Sequence, residues 1–407
     1  TILGHKGMVS PPASAFANGE LMNALDYECL LSPPEHLTPY VLPACITCGE
    51  MKNASGRELI AATAVAHEIT TRISESITFG NRFAVRLQDK DMAISLPTPG
   101  YGLCMFGGIA GGGKLLGFKA EELANAMGVG GYIVPVPLLA RFAVTAPTTM
   151  TKYLSSGLLS QMEINALFLS QLGHTGDKTI LDGEYGLFRY FGSDNWDLEN
   201  AIKNLGKEWL FHQRIFYKWY PCCGAMQNAL GLFDSILEEN NLQPEEIKEV
   251  TVVLNPLADL PAWKNEDIRS HTDIQFSTPF LFALAANRIE PGPLWQTDRI
   301  LNDEGIRGFA SKVKVMTTLD REAAGKPQVM VVALKENEHK IYSQNGLSVK
   351  MDMTEKDLMD KFRRNAAGLI TEKNVDEAID LLLGLEDVKN ISSLLRLSVS
   401  HSSKCKE

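Results

Sequence analysis

The chain has 407 residues and a mass of 44.8 kDa, which at roughly 150 residues per domain implies two or three domains. Its composition, 45% hydrophobic and 22% charged, is that of an ordinary globular protein and excludes a disordered or fibrous chain. The net charge of −10 argues against nucleic acid as a partner, because displacing phosphate counterions takes a basic stripe, yet two or three placed cations suffice for a small anionic substrate.

Residues 12–28 carry small and apolar side chains at helical spacing. Pro33 and Pro34 then force a loop, and Pro39 suits the first turn of a helix running to about residue 51. Ser55-Gly-Arg-Glu58 is a capping-box pattern that opens a helix continuing through the 70s. Further helices fit 103–116, 119–129 and 153–172, and strand signals are scarce, so this half reads as helical. After about residue 210 the texture changes. IKEVTVVLNP (247–256), SKVKVMTTLD (311–320), KPQVMVVALKEN (326–337) and HKIYSQNG (339–346) alternate or run β-branched, as strands do. Helices at about 223–239 and 275–287 intervene, and the tail from Glu355 returns to helix. The expected fold is mainly α with a second α+β domain: a large all-helical domain at 1–210, rejoined by about 355–407, and a smaller α+β domain at 211–354.

Residues 92–113 carry no formal charge over 22 positions, long enough to span a bilayer. Pro97, Pro99 and many glycines mark them as a buried helix-and-turn segment, and Asn125 with two prolines does the same for 123–140. No membrane partner is expected. Seven cysteines, two of them adjacent at Cys222 and Cys223, make no disulfide framework and favour a reducing, cytoplasmic compartment. No signal peptide is visible; the chain opens at Thr1 rather than Met, which keeps an upstream mitochondrial targeting segment open as an alternative. Cys45 and Cys48 have metal or redox spacing but lie in an apolar helical run without a second such pair, and read as core thiols. No spacing offers three or four metal ligands, so neither a metal nor an organic cofactor is expected.

Gly108-Ile-Ala-Gly-Gly-Gly113-Lys114 matches the glycine and lysine positions of a phosphate-binding loop. Leu115 stands where that loop needs Ser or Thr, so close helix packing explains the glycines better. His36 lies in a proline-bounded loop ten residues after Asp26, and a His–Asp pair is a natural proton-transfer unit. His67 sits inside a helix and reads as structural. Lys152 opens a helix behind a threonine run, where a cation beside free backbone N–H groups suits a carboxylate or phosphate. Lys218 lies in FYKWYPCCGAMQ, an aromatic strand running into a helix that begins near Cys223. For both lysines a solvated side chain is the plainer reading. Cys222 and Cys223, near that helix start, are either acidified thiols or buried inert ones.

Several segments in order, VSPPASAFANGELMNALDYE, NASGRELIAATAVAHEITTRI, GGGKLLGFKAEELANAMGV, TMTKYLSSGLLSQMEINALFLSQLG, YKWYPCCGAMQNAL, QFSTPFLFALA and DKFRRNAAGLI, resemble the MmgE/PrpD family. That family includes 2-methylcitrate dehydratase, cis-aconitate decarboxylase and iminodisuccinate epimerase. The resemblance implies a helical and a smaller α+β domain, a homodimer, and a cofactor-free site between domains. It implies an acid–base role for His36 and Asp26, and substrate binding by Lys152 and Lys218. Leu30 stands where the decarboxylases carry Thr, while Thr98 and Cys223 align with two of their active-site histidines and are expected to line the substrate. Loss of these donors argues against cis-aconitate decarboxylation and for a distinct substrate group. The expected activity is a cofactor-independent lyase, of dehydratase or decarboxylase type, moving a proton at a carbon next to a carboxylate of a small polycarboxylate. An epimerase or isomerase of a small dicarboxylate, or a non-catalytic homologue, are the alternatives.

Overall fold

The computed structural model describes residues 1–31, 35–79, 84–86, 93–95, 100–135, 140–191, 193–318, 326–347 and 352–399. The fold is mainly helical, with a smaller α+β part towards the C-terminal side. Each helix expected in the first half forms: Pro11–Asn23, Thr38–Lys52, Gly56–Ser76, Gly100–Leu116, Ala120–Ile133 and Leu154–Gln171. The capping box is present, with Ser55 accepting from the Glu58 backbone and the Glu58 carboxylate accepting from the Ser55 N–H. The first helix stops earlier than its periodicity suggests. Beyond Asn23 the chain turns on Asp26, whose φ of +51° lies in the left-handed region that Asp tolerates better than most side chains.

The helical half also holds strands too short to show a two-residue period, including Cys29–Leu31, Glu35–His36, Ile77–Phe79 and Ser193–Trp196. Cys29–Leu31 is the central strand of a small antiparallel sheet, flanked by Glu35–His36 and by Ile215–Tyr217. Leu30 pairs with His36 on one side and Phe216 on the other. This sheet draws three distant segments together: the acidic loop before Cys29, His36, and Lys218 just beyond Tyr217.

The strands Ile247–Leu254, Val313–Thr317, Gln328–Lys335 and Glu338–Asn345 form one four-stranded sheet. Its pairings are antiparallel except for the parallel one between Ile247–Leu254 and Val313–Thr317. Helices Gln227–Glu239 and Thr278–Ala286 pack with it around a core that includes Phe233, Phe282, Val250, Val331 and Trp295. A second core gathers Tyr40, Cys45, Cys48, Ile109 and Leu167, and takes in Ile391 and Leu395 from the tail. A third, smaller cluster gathers Ile73, Leu103, Phe106 and Phe191. We propose a division of the chain near residue 210; it is supported by a first core drawn mostly from beyond that point, although that core also takes in Ala143 and Tyr153.

In the second core the glycine-rich helix Gly100–Leu116 lies against its neighbours at close range. A Cβ on Gly108 would stand 2.0 Å from the Glu163 carboxyl carbon, and one on Gly111 would stand 2.5 Å from Cys45 Sγ. The glycines make room for facing side chains. Among the described residues no helix is long and apolar enough to cross a membrane.

Candidate active site

Asp26 opens the site from the loop after the first helix, and Lys218 closes over it. Lys218 Nζ donates to Asp26 Oδ1 at 2.7 Å and to the Asp26 carbonyl at 2.8 Å, and lies 3.5 Å from Glu28 Oε1. Lys152 Nζ reaches the same Asp26 oxygen at 3.4 Å and His36 Nε2 at 3.5 Å. His36 Nε2 is 3.5 Å from Asp26 Oδ1. Residues up to 192 positions apart thus meet around one carboxylate. All are withdrawn from solvent: Asp26 and Lys218 are 0% exposed, Lys152 4% and His36 7%.

The cluster lies where the two cores meet. Tyr153 from one side and Tyr101 and Tyr40 from the other bound it, and the Tyr101 ring meets His36 edge-on at 5.3 Å. Lys152 stands over the rings of Tyr153 at 4.3 Å and Phe276 at 4.9 Å, faces that attract an ammonium group.

Glu28 escaped the sequence reading. Its Oε1 pairs with His36 Nδ1, so the carboxylate nearest the imidazole is Glu28 and not Asp26. The segment turns at Asp26 in the left-handed region, so no two-residue alternation marks the two acids; Tyr27 between them donates its hydroxyl to the Trp219 carbonyl.

The charges settle as follows. Burial works to raise the Asp26 pKa, but Lys152 and Lys218, then His36, overcome it and hold the carboxyl well below its ordinary range. Burial is likewise outweighed at Glu28, by Lys218 and then His36, and its pKa is lowered. Lys218 is raised above the usual lysine value, because Asp26 and Glu28 outweigh burial. Lys152 is lowered by burial despite Asp26. His36 is lowered, first by burial and then by Lys152, against the opposing pull of Glu28. A neutral imidazole donates its Nδ1–H to the Glu28 carboxylate, which leaves the Nε2 lone pair facing Lys152 and Asp26. That is the protonation state of a general base.

Cys223 caps the short turn before helix Gln227–Glu239, and its N–H is taken by the Gln275 carbonyl at 2.9 Å, so it is not an open donor. Burial pushes both Cys222 and Cys223 up, which overturns the idea that the helix start acidifies them. Cys223 interacts electrostatically with Asp26, Lys152 and Lys218, which puts it beside the cluster. Leu30 lies against the residue that follows it: a Cβ on Gly224 would stand 2.3 Å from Leu30 Cδ1. Thr98 lies outside the described residues. His67 bonds through Nδ1 to the Thr63 carbonyl at 2.8 Å and through Nε2 to Thr38 at 2.9 Å, and burial lowers its pKa to about 4. Cys45 and Cys48 are buried, and burial pushes both thiols up, Cys48 to about 12.

Linear spacing suggested no set of metal ligands, but folding brings one atom each from Asp26, Glu28 and His36 within 4.8 Å of one another. A cation there would compete with two ammonium groups for the Asp26 carboxylate. Two other oxygens stand out. Asp26 Oδ2 and Glu28 Oε2 are buried and accept no hydrogen bond from the described residues.

Comparison with known proteins identifies a family. Residues 1–199 match the MmgE/PrpD N-terminal domain and residues 220–386 the MmgE/PrpD C-terminal domain. The chain is 24% identical over 424 residues to a cis-aconitate decarboxylase of Aspergillus terreus, covering 97% of this chain and 83% of the relative. It is 22% identical over 417 residues to the Homo sapiens cis-aconitate decarboxylase, covering 98% and 81% respectively. The Mus musculus cis-aconitate decarboxylase is similar at 22% over 418 residues, covering 98% and 80%. Matched over both of its domains and nearly its whole length, the chain belongs to the MmgE/PrpD family, and the kinship supports an enzyme of the lyase type.

Proposed function

We propose that the protein is a lyase that eliminates a group from a small hydroxylated polycarboxylate by acid–base chemistry of its own side chains. The observation that carries this reading is the contact of His36 Nε2 with Lys152 Nζ at 3.5 Å, a base and an acid side by side and buried. His36, held through Nδ1 by Glu28, takes the proton from the carbon next to a substrate carboxylate. The electron pair develops on that carboxylate, where Lys152 and the field of Lys218 stabilise it. As the carbon–oxygen bond breaks, Lys152 gives a proton to the departing hydroxyl, which leaves as water. The proton on His36 then returns to Lys152 across the contact between them, and the site is restored. Lowered pKa values at both groups suit these transfers. Positioned proton transfer of this kind contributes about a hundred- to ten-thousand-fold in rate.

Asp26 Oδ2 and Glu28 Oε2, buried acceptors without a donor among the described residues, suit a substrate hydroxyl. Lys218 is fully engaged by Asp26 and Glu28, so its part is to hold the acidic loop and keep it ionised. Lys152 is the cation nearer to the substrate. Leu30 and Cys223 make one wall less polar than a threonine and a histidine would, which disfavours a third carboxylate on that side. The relatives' activity on cis-aconitate is therefore not carried over. An epimerase would need a second acid–base group across the substrate from His36. Lys152 lies beside His36, and the lyase is the better reading.

Incubating the protein with a panel of di- and tricarboxylates, hydroxylated and unsaturated, in deuterium oxide and following the mixtures by NMR tests this. New unsaturated or hydrated products support the lyase. Exchange or inversion at one carbon without a new product makes it an epimerase, and silence across the panel makes it a non-catalytic homologue.

A further inference from the structure

Four consecutive carbonyls of the acidic loop are each held by a side chain from a remote segment. Gln275 Nε2 donates to Ala24 O at 2.9 Å and Gln296 Nε2 to Leu25 O at 2.8 Å. Lys218 Nζ donates to Asp26 O at 2.8 Å, and Lys361 Nζ to Tyr27 O at 2.7 Å. The Asp26 conformation, at φ +51°, is one that a free loop would seldom keep, so these contacts do the holding. Lys361 is set apart from the other three. It comes from the Glu355–Ala366 helix of the tail, and its Nζ also donates to Lys218 O at 2.8 Å. One ammonium group therefore ties the segment that carries Lys218, just beyond strand Ile215–Tyr217, to the loop that carries Asp26 and Glu28. It is 9% exposed and stands 3.7 Å from the centre of the Tyr27 ring.

We infer that Lys361 is a positioning residue of the active site, an ammonium clamp that sets the acidic loop against Lys218 and so aims Glu28 at His36. It touches neither His36 nor the cluster around Asp26 Oδ1, and acts through the two backbones it joins. The clamp is sensitive to pH. Burial and then the Lys218 charge lower the Lys361 pKa to about 7, with Arg364 adding to the effect and Glu28 and Cys29 opposing it. The facing groups are thus Lys218, Glu28, Cys29 and the Tyr27 ring, with Arg364 on its own helix. Arg364 itself pairs with Glu290 at 3.1 Å.

Above about pH 7 the clamp loses its charge, and two charge-assisted hydrogen bonds become ordinary ones, roughly half as strong. Two consequences of opposite sign follow. Turnover falls as pH rises through 7, because the loop slackens. Stability gained from this residue rises over the same range, because the folded state has released a proton that the unfolded chain keeps up to the ordinary lysine range. A residue that merely holds the fold together would move both in the same direction.

The turnover half of the test rests on the proposed lyase reading; a second half does not. Wild type, Lys361→Arg and Lys361→Met are compared by rate against pH, by thermal unfolding against pH, and by NMR titration of the His36 imidazole. Lys361→Arg, charged at every accessible pH, is expected to fold and to move the alkaline fall to higher pH, leaving the limb that Lys152 sets as the acid. Lys361→Met is expected to lower kcat about tenfold or more, a barrier increase of about 1.4 kcal/mol, with KM changed less, and to shift the His36 titration. If Lys361→Met does not fold, the alkaline limb of wild type against Lys361→Arg decides. An alkaline limb unchanged in Lys361→Arg, or an unshifted His36 titration in a folded Lys361→Met, overturns the clamp. If wild type turns over nothing, the lyase reading fails by itself and the imidazole titration still decides for or against Lys361.

Discussion

His36 is governed by two neighbours that pull its pKa in opposite directions, and this gives the residue scale its sharpest test. Lys152 lowers the His36 pKa and Glu28 raises it, both beneath a larger lowering by burial. A base must be unprotonated, so activity should fall as pH drops through the His36 pKa, below the usual 6.5. Glu28→Gln removes the raising charge, so the acidic limb of the kcat/KM profile should move to lower pH. Because Gln can accept from the imidazole but carries no charge, kcat should fall about tenfold or more as well. Lys152→Met removes the lowering charge, so the limb should move to higher pH while activity drops. Limbs that move in the same direction in both variants would contradict the electrostatic account.

At the scale of elements, the site depends on how the helical half reaches the segment that carries Lys218. The connecting stretch from Ala201 to Phe211 is mostly exposed, yet it is pinned from beneath by a buried pair on helix Gly56–Ser76. Arg72 donates to the carbonyls of Lys203 at 2.6 Å and Glu208 at 2.9 Å, and Glu68 accepts from the N–H groups of Leu210 at 2.8 Å and Phe211 at 3.2 Å. Arg72 and Glu68 are themselves joined at 2.6 Å, one turn apart. Removing one partner of such a pair leaves the other charge buried without compensation. Arg72→Met should therefore cost about 3–5 kcal/mol in chemical unfolding, and a loss below about 1 kcal/mol would show that the pair is not what anchors the segment.

At the scale of the whole molecule, Glu163 is a carboxyl group that the core leaves without a partner on both oxygens among the described residues. It is fully buried, and its carboxyl sits against Gly108. Burial raises its pKa well above the ordinary carboxylate value, so the folded protein carries it as a neutral acid. The unfolded chain loses that proton near pH 4.5 while the folded one keeps it, so stability from this residue is full below that pH and declines as pH rises. The decline is about 1.4 kcal/mol per pH unit until the folded state ionises in turn. Glu163→Gln should remove this slope and unfold at higher temperature than wild type at neutral pH; an unchanged slope would show the group to be solvated. Much of the architecture was legible in the residues themselves. Ser55 and Glu58 marked a helix start, Pro39 another, and β-branched runs marked the four-stranded sheet, since these signals are local. The site was half legible: motif resemblance picked out Asp26, His36, Lys152 and Lys218, but not Glu28 or Lys361. Glu28 pairs with His36 through a sheet of two- and three-residue strands, and Lys361 lies 334 positions from Tyr27, and neither contact leaves a periodic trace.

The central claim is that His36, buried and neutral, takes a proton from carbon next to a substrate carboxylate. Solvent deuterium incorporation at that carbon, followed by NMR at neutral pH in wild type and His36→Gln with whichever substrate the panel identifies, tests it most directly. The account predicts that wild type forms product and exchanges label, while His36→Gln, folded and with substrate affinity within about an order of magnitude of wild type, loses both by about a hundredfold or more. Retention of wild-type exchange and product formation in His36→Gln would contradict it.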